Sequence, residues 1–176
     1  MRDVASSIAN SLAVIQGGST AVFVDSCVGP DGRLRMYFGN AVLRLQQAFA
    51  SRKVTSEDII SINLHERGFH LRLALDDINH GLANPKFMRS HFYRAVESLR
   101  HSVTGSLGLA ESAQWEAFRN KLNIDRARIE ALMHHPERHG DYARALPMSS
   151  SEVEVILEII AEVISQYVKW FKANVH

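Results

Sequence analysis

The residues best suited to do chemistry are an arginine, a glutamate and a histidine in segment 91–101. Arg94, Glu97 and His101 follow one another at steps of three and four, and at about 100° per residue this spacing puts them on one helix face. Apolar residues recur on roughly the opposite side, namely Met88, Phe92, Val96, Leu99 and Val103. The segment is therefore predicted to be a core helix with an ordered polar face.

A second group of candidates lies in a histidine-rich segment further along the chain. Pro136 and Gly140 exclude a continuous helix there, so a loop is predicted. Its polar residues are His134, His135, Arg138 and His139. Three imidazoles on a loop could bind zinc or nickel, but no thiolate lies nearby, and such runs more often mark a solvated loop. The sequence predicts neither a metal nor another cofactor.

Arginine and histidine together suit cleavage of RNA without a metal ion. An imidazole can take the proton of the 2′-hydroxyl or protonate the leaving oxygen, and a guanidinium can stabilise charge on the phosphorane oxygens. The sequence offers two such pairs, Arg94 with His101 and Arg138 with His139. Both pairs also have a structural alternative. Arg94 could form an ordinary surface ion pair with Glu97, and Arg138–Gly140 could cap a neighbouring helix.

Three other classes of site are excluded by residue spacing or by sequence context. His65 and His70 are five residues apart, about 140° around a helix, whereas a zinc-protease motif needs histidines four apart. The glycine-containing turns at 29–32 and 105–108 lack the lysine of a phosphate-binding loop. No serine lies in the strand–turn–helix context that a nucleophile elbow requires.

Composition sets limits on partners and location. The chain has 176 residues, 46% of them apolar, a net charge of +1 and a single cysteine, Cys27. Such a near-neutral chain is not a polybasic nucleic-acid coat, so any contact with nucleic acid must be local. Lone Cys27 excludes an internal disulfide framework. No apolar window is long enough to cross a membrane, so a soluble, cytoplasmic protein is predicted.

Helical periodicity dominates the chain from residue 40 onward and predicts a mainly α fold. Thr55 with Asp58 resembles a capping box, and before the last helix both Ser149 with Glu152 and Ser151 with Glu154 satisfy the Ser-x-x-Glu capping pattern. Gly68 marks a break in the helix after Thr55. The predicted helices span about 40–52, 55–81, 86–104, 110–122, 125–133 and 149 onward. Together they predict an up-and-down bundle of four or five helices.

The N-terminal third of the chain shows a different sequence pattern. A short helix is predicted within residues 1–16, and a β-hairpin is predicted around the turn signal Gly29–Gly32. The alternative to the β-hairpin is an irregular loop packed on the bundle. We therefore predict an N-terminal appendage at residues 1–55 and a helical bundle at 56–176, joined as one compact unit.

Several segments together resemble bacterial domains of the HEPN class (higher eukaryotes and prokaryotes nucleotide-binding). The resemblance covers about residues 66–174. It is carried by Phe92–Arg100, Trp115–Arg119, Ile129, Pro136–Gly140 and Ser150–Trp170. It implies a four-helix bundle, often dimeric, and in active members a metal-independent ribonuclease whose arginine and histidine have four to six residues between them. Arg94 with His101, and Arg128 with His134, have that spacing.

These observations lead to two functional hypotheses. The first is a domain that binds or cleaves RNA or a nucleotide, in a toxin–antitoxin or phage-defence system. Its catalytic candidates are Arg138, His139, Arg94, His101 and Glu97, and its binding candidates are Arg100, His134, His135 and Arg128. The second is a non-catalytic helical module for dimerisation or interaction. A homodimer and a partner protein from the same operon are the predicted protein contacts.

Overall fold

The described part of the chain is almost entirely helical. The computed structural model describes residues 27–28, 34–35, 38–133 and 148–175. The helices of these ranges are α1 Phe38–Ser51, α2 Ser56–Leu64, α3 Phe69–Ala83, α4 Met88–Thr104, α5 Glu111–Leu122, α6 Arg126–Met133 and α7 Ser150–Asn174. The prediction of a mainly α fold is confirmed.

Two short strands precede the helices. In an antiparallel pair, Cys27–Val28 (β1) lies against Leu34–Arg35 (β2), with Cys27 opposite Arg35. The turn at 29–32 lies outside the described residues, so the hairpin itself stays a prediction. The helix predicted within 1–16 and the histidine-rich loop also lie outside them.

Capping motifs fix where the helices begin. The Thr55 hydroxyl accepts a hydrogen bond from the Asp58 N–H, and the Asp58 carboxylate accepts one from the Thr55 N–H. Ser149 and Glu152 form the same reciprocal arrangement before α7. Of the two starts predicted for the last helix, Ser149 is the N-cap, whereas Ser151 lies inside the helix. The boxes at Thr55 and Ser149 are thereby confirmed, and each satisfies N–H groups that the first helical turn leaves without a partner.

Helices α3 and α4 form an antiparallel pair at the centre of the fold. Gly81 lets them approach closely, because a Cβ at this position would lie 2.7 Å from Cε1 of Phe92. Arg89 binds Glu152 near the start of α7, and Ser102 binds Tyr167 near its end, so α4 and α7 run in the same direction. Helix α4 is thus antiparallel to α3 and parallel to α7.

The core is shared by all the helices that have described side chains. Helix α7 contributes the largest share of this core, including Ile160, Ile164 and Tyr167, each at most 1% exposed. Leu45 and Phe49 bring α1 into the same core. Residues 38–54 and the following helices thus pack as one unit. None of the described helices is both long enough and apolar enough to cross a membrane.

An ion pair joins the start of α2 to the end of α7. The Lys172 ammonium at the end of α7 donates to the Asp58 carboxylate in α2. Burial by itself raises the pKa of Asp58, but the hydrogen bonds from Lys172 and the Thr55 N–H outweigh it, and the pKa is lowered below 3.8. The charged form of Asp58 therefore stabilises the fold above the unfolded-state pKa, and this contribution is lost as the pH falls through the lowered value.

Replacing Lys172 with Met is expected to lower the free energy of unfolding at pH 7 by about 0.5–1 kcal/mol, since the ion pair is only partly screened. It should also flatten the fall in stability between about pH 5 and pH 3. Urea unfolding at several pH values measures both effects. Lys169→Met, an exposed lysine of the same helix, is the control. Equal losses in the two variants would contradict a specific role for the pair.

Candidate functional site

A row of polar side chains follows the line where α3 and α4 meet. His70 faces His101, Asp77 binds Arg94, and the ring of His80 stacks on that of His91. From one pair to the next, the residue number rises along α3 and falls along α4, as expected for antiparallel helices. The polar face predicted for α4 is thus matched by a polar face on α3.

Arg94 is held in the middle of this row. Its Nε donates to Oδ1 of Asp77 at 3.0 Å, and its Nη2 donates to Nδ1 of His91 at 2.8 Å. His101 lies seven residues further on, about 10 Å along the helix axis, and contacts His70 instead. Arg94 and His101 thus have separate partners on α3, and the hypothesis that they act as one pair stays a prediction.

Arg100 lies beneath the surface beside the candidate site. It is 3% exposed, and its Cζ lies 4.9 Å from the centroid of the Trp115 ring. Its Nη1 donates to Oε1 of Gln114 at 2.5 Å, and Nη2 lies 3.6 Å from the Glu97 carboxylate. The prediction that Arg100 contacts RNA is corrected, because a buried guanidinium over an indole ring is not presented to a solute.

Glu97 is paired with the buried Arg100. Its carboxylate is half-buried, and the ion pair with Arg100 spans one helical turn. The same guanidinium approaches Nε2 of His101 at 3.3 Å. A guanidinium can only donate, so Nε2 accepts, and the neutral His101 ring carries its proton on Nδ1. Arg100 and Glu97 thereby orient His101 from below.

An open cleft lies where α3 begins and α4 ends. Its volume is about 570 Å³. The lining residues are Glu66, Arg67, Phe69, His70, His101, Ser102 and Gly105. The rings of His70 and His101 are roughly parallel, at an interplanar angle of 27°, with their centroids 6.5 Å apart. This cleft is the candidate functional site.

The two histidines differ in their surroundings. Burial, and to a lesser extent the neighbouring His101, lower the pKa of His70 below 6.5. Nδ1 of His70 is buried and has no hydrogen-bond partner among the described residues. His101 is the more exposed ring. At neutral pH, His70 is therefore an unprotonated imidazole suited to accept a proton.

Ser102 connects the floor of the cleft to α7. Its hydroxyl shares a hydrogen bond of 2.8 Å with the hydroxyl of Tyr167. Burial raises the pKa of Tyr167 to about 12, although the hydrogen bond with Ser102 opposes the shift. Tyr167 stays a neutral phenol, and it fixes the part of α4 that carries His101.

The remaining sequence candidates fall elsewhere. Arg128, predicted to bind RNA, forms an ion pair with Glu162 in which Nη2 and Oε2 are 2.8 Å apart. His65 packs edge-on against Phe171, with ring centroids 5.4 Å apart. Its ring is therefore part of the packing and does not form a site with His70. Four candidates lie outside the described residues, namely His134, His135, Arg138 and His139, so the roles predicted for them stay predictions.

His70 is the site residue that sequence reasoning missed. The sequence indicates His70 only as half of an excluded zinc motif and as a helix-surface partner of Glu66. A signal was present, because Glu66 and His70 are four apart and flank the predicted break at Gly68. Knowing that α3 and α4 are antiparallel neighbours would have placed His70 opposite His101. In the described residues, no three histidine, cysteine or carboxylate side chains form a cluster that could hold a metal ion.

Fold and site define a helical protein with a two-histidine cleft between paired helices. Residues 56–172 match the C-terminal domain of DUF8168, a domain of unknown function. The match covers more than half of the chain, which therefore belongs to this family. No curated protein and no solved structure matches the chain.

Proposed function

We propose that the protein binds one phosphodiester group of an RNA strand in the α3–α4 cleft and cleaves it without a metal ion. The observation that carries the proposal is the pair His70 and His101, whose rings face each other 6.5 Å apart in an open cleft. Two imidazoles at such a separation can act on opposite sides of one phosphorus atom as base and acid. The proposal keeps the predicted RNA chemistry and replaces the predicted arginine–histidine pair.

Each residue has an assigned role in the proposed reaction. His70 takes the proton of the 2′-hydroxyl, and the 2′-oxygen attacks phosphorus while the bond to the 5′-oxygen breaks. His101 gives a proton to that leaving oxygen. The products are a 2′,3′-cyclic phosphate and a 5′-hydroxyl, and the reaction needs no oxidant, reductant or cofactor.

Charge in the cleft is balanced rather than strongly positive. Arg67 and Glu66 both line it and both are exposed. The guanidinium is placed to attract phosphate, whereas the neighbouring carboxylate repels it. Weak, salt-sensitive binding of RNA is the consequence, in line with a chain whose net charge is only +1. In this scheme Glu66→Gln tightens RNA binding and Arg67→Gln weakens it.

The finer assignments belong to the same proposal. A HEPN-like bundle is supported by antiparallel α3 and α4 and by the shared direction of α4 and α7. A homodimer, a partner protein from the same operon and a role in phage defence or a toxin–antitoxin pair follow from the resemblance alone.

The test is cleavage of labelled single-stranded RNA by purified protein in excess EDTA. We expect cleavage, with products that end in a 2′,3′-cyclic phosphate, because the proposed acid and base are both side chains. Mass spectrometry of the products identifies the ends. Intact RNA in the presence of folded protein, shown by its helical circular dichroism, would overturn the catalytic proposal.

Exposed leucines support the second candidate function, a helical interaction module. Leu64 lies just before the turn into α3, and Leu107 and Leu109 follow α4. They are 63%, 43% and 39% exposed and lie at the end of the helix pair that carries the cleft. Exposed apolar side chains at one end of a helix pair favour a protein contact. Light scattering of Leu64→Ser and Leu107→Ser variants tests it, since loss of a dimer without loss of cleavage would separate the two functions.

A further inference from the structure

We propose that Phe69 is a stacking platform for one unpaired nucleobase, so that the cleft accepts single-stranded RNA and not duplex RNA. The inference rests on the proposed function and names its substrate class. Phe69 lines the cleft and is 52% exposed, although it is a large aromatic residue. It is therefore the cleft's main unburied apolar surface.

The position of Phe69 relative to the histidines is what suits a nucleotide. Its ring centroid lies 5.5 Å from that of His70, and the two planes are inclined at 68°. A base lying on Phe69 leaves its attached ribose and phosphate beside His70 and His101. The aromatic and catalytic groups are consecutive in sequence, so the start of α3 would present the base site and the phosphate site as one unit.

A cation steadies the platform. The Arg72 guanidinium lies 5.9 Å from the centroid of the Phe69 ring and donates to the backbone carbonyl of Asn63. Anchored at both ends, it restricts the ring and adds positive charge next to the base site. Aromatic faces with nearby arginines are the usual sequence-tolerant platforms for unpaired bases, whereas bases in a duplex are already stacked and hidden.

Leu73 provides the comparison that separates stacking from simple apolar contact. It lies one turn beyond Phe69 on α3 and is 39% exposed, but it does not line the cleft. A protein partner docking on this side of α3 would use both residues. A stacked base would use only Phe69.

The experiment measures binding of a short fluorescent single-stranded RNA, methylated on every 2′-oxygen so that it cannot be cleaved. Fluorescence anisotropy gives Kd for wild-type protein and for Phe69→Ala, Phe69→Trp and Leu73→Ala. We expect Phe69→Ala to weaken binding about tenfold or more, while Phe69→Trp and Leu73→Ala bind within about twofold of wild type. A matched duplex should bind at least about tenfold more weakly than the single strand.

An abasic scan of the same oligonucleotide completes the test. Removing one particular base should weaken binding to wild-type protein as much as Phe69→Ala does, and should have no further effect on that variant. Equal losses in Phe69→Ala and Leu73→Ala, equal affinity for the duplex, or the absence of such a base would overturn the platform. If wild-type protein cleaves RNA under these outcomes, the proposed function survives without it. If wild-type protein neither binds nor cleaves RNA, both proposals fail.

Discussion

Cleavage of RNA in EDTA is expected to fall at least about a hundredfold when His101 is replaced by Gln, and by a similar factor for His70→Gln. Each substitution removes one of the two proton-transfer groups, and general acid or base catalysis typically contributes about 10²–10⁴-fold. Glutamine keeps a similar polar side chain, so folding should be preserved. Initial rates with a labelled single-stranded RNA measure the effect.

His80→Gln is the matched control, because His80 is exposed on the same helix as His70 but at the other end of the polar row. Its rate should stay within about twofold of wild type, as for a side chain outside the reaction. A loss in His80→Gln equal to that in the cleft variants would show that the substitutions act through folding. Unchanged cleavage in both cleft variants would exclude these histidines from the reaction.

The lowered pKa of His70 gives the same prediction a pH signature. A base is lost when it is protonated, so kcat/KM should fall as the pH drops through the pKa of His70, which lies below 6.5. Removing His101 relieves charge repulsion but leaves the burial of His70 unchanged. In His101→Gln the pKa of His70, followed by NMR, should therefore rise while staying below 6.5.

Local sequence signals predicted the helices well because they act over a few residues. The Thr55–Asp58 and Ser149–Glu152 capping boxes and the break at Gly68 are all present. Each depends only on backbone N–H groups, side-chain oxygens and apolar steps within one or two turns. Helix starts and ends could therefore be read from the chain without knowing any tertiary contact.

The site could not be predicted in the same way, because it depends on which helices become neighbours. The spacing of Arg94 and His101 says nothing about the Asp77 carboxylate that holds the first or the His70 ring that faces the second. Arg100 looked like a surface cation, yet Trp115 and Gln114 from α5 cover it. Charged side chains change role when a neighbouring helix supplies partners.

Gly68→Ala is expected to cause the largest loss of stability among the substitutions proposed. A Cβ at this position would lie 1.9 Å from the carbonyl oxygen and 2.9 Å from the carbonyl carbon of Ile62. These are backbone atoms that no rotamer change can move. The φ angle of Gly68 is −76°, so the position requires space rather than a conformation reserved for glycine. The substitution must therefore push α3 away from the end of α2.

Forced overpacking of this kind costs about 3 kcal/mol or more, which lowers Tm by about 6–12 °C in a chain of this size. Because Gly68 immediately precedes Phe69 and His70, the displaced start of α3 should also widen the cleft and reduce RNA cleavage in the surviving folded protein. Gly105→Ala is the control within the same cleft, since no atom lies within 4 Å of a Cβ built there. Thermal unfolding followed by circular dichroism should leave its Tm within about 2 °C of wild type. Similar melting of Gly68→Ala and wild type would rule out the close approach of the α3 start to Ile62, and with it the geometry that brings His70 to His101.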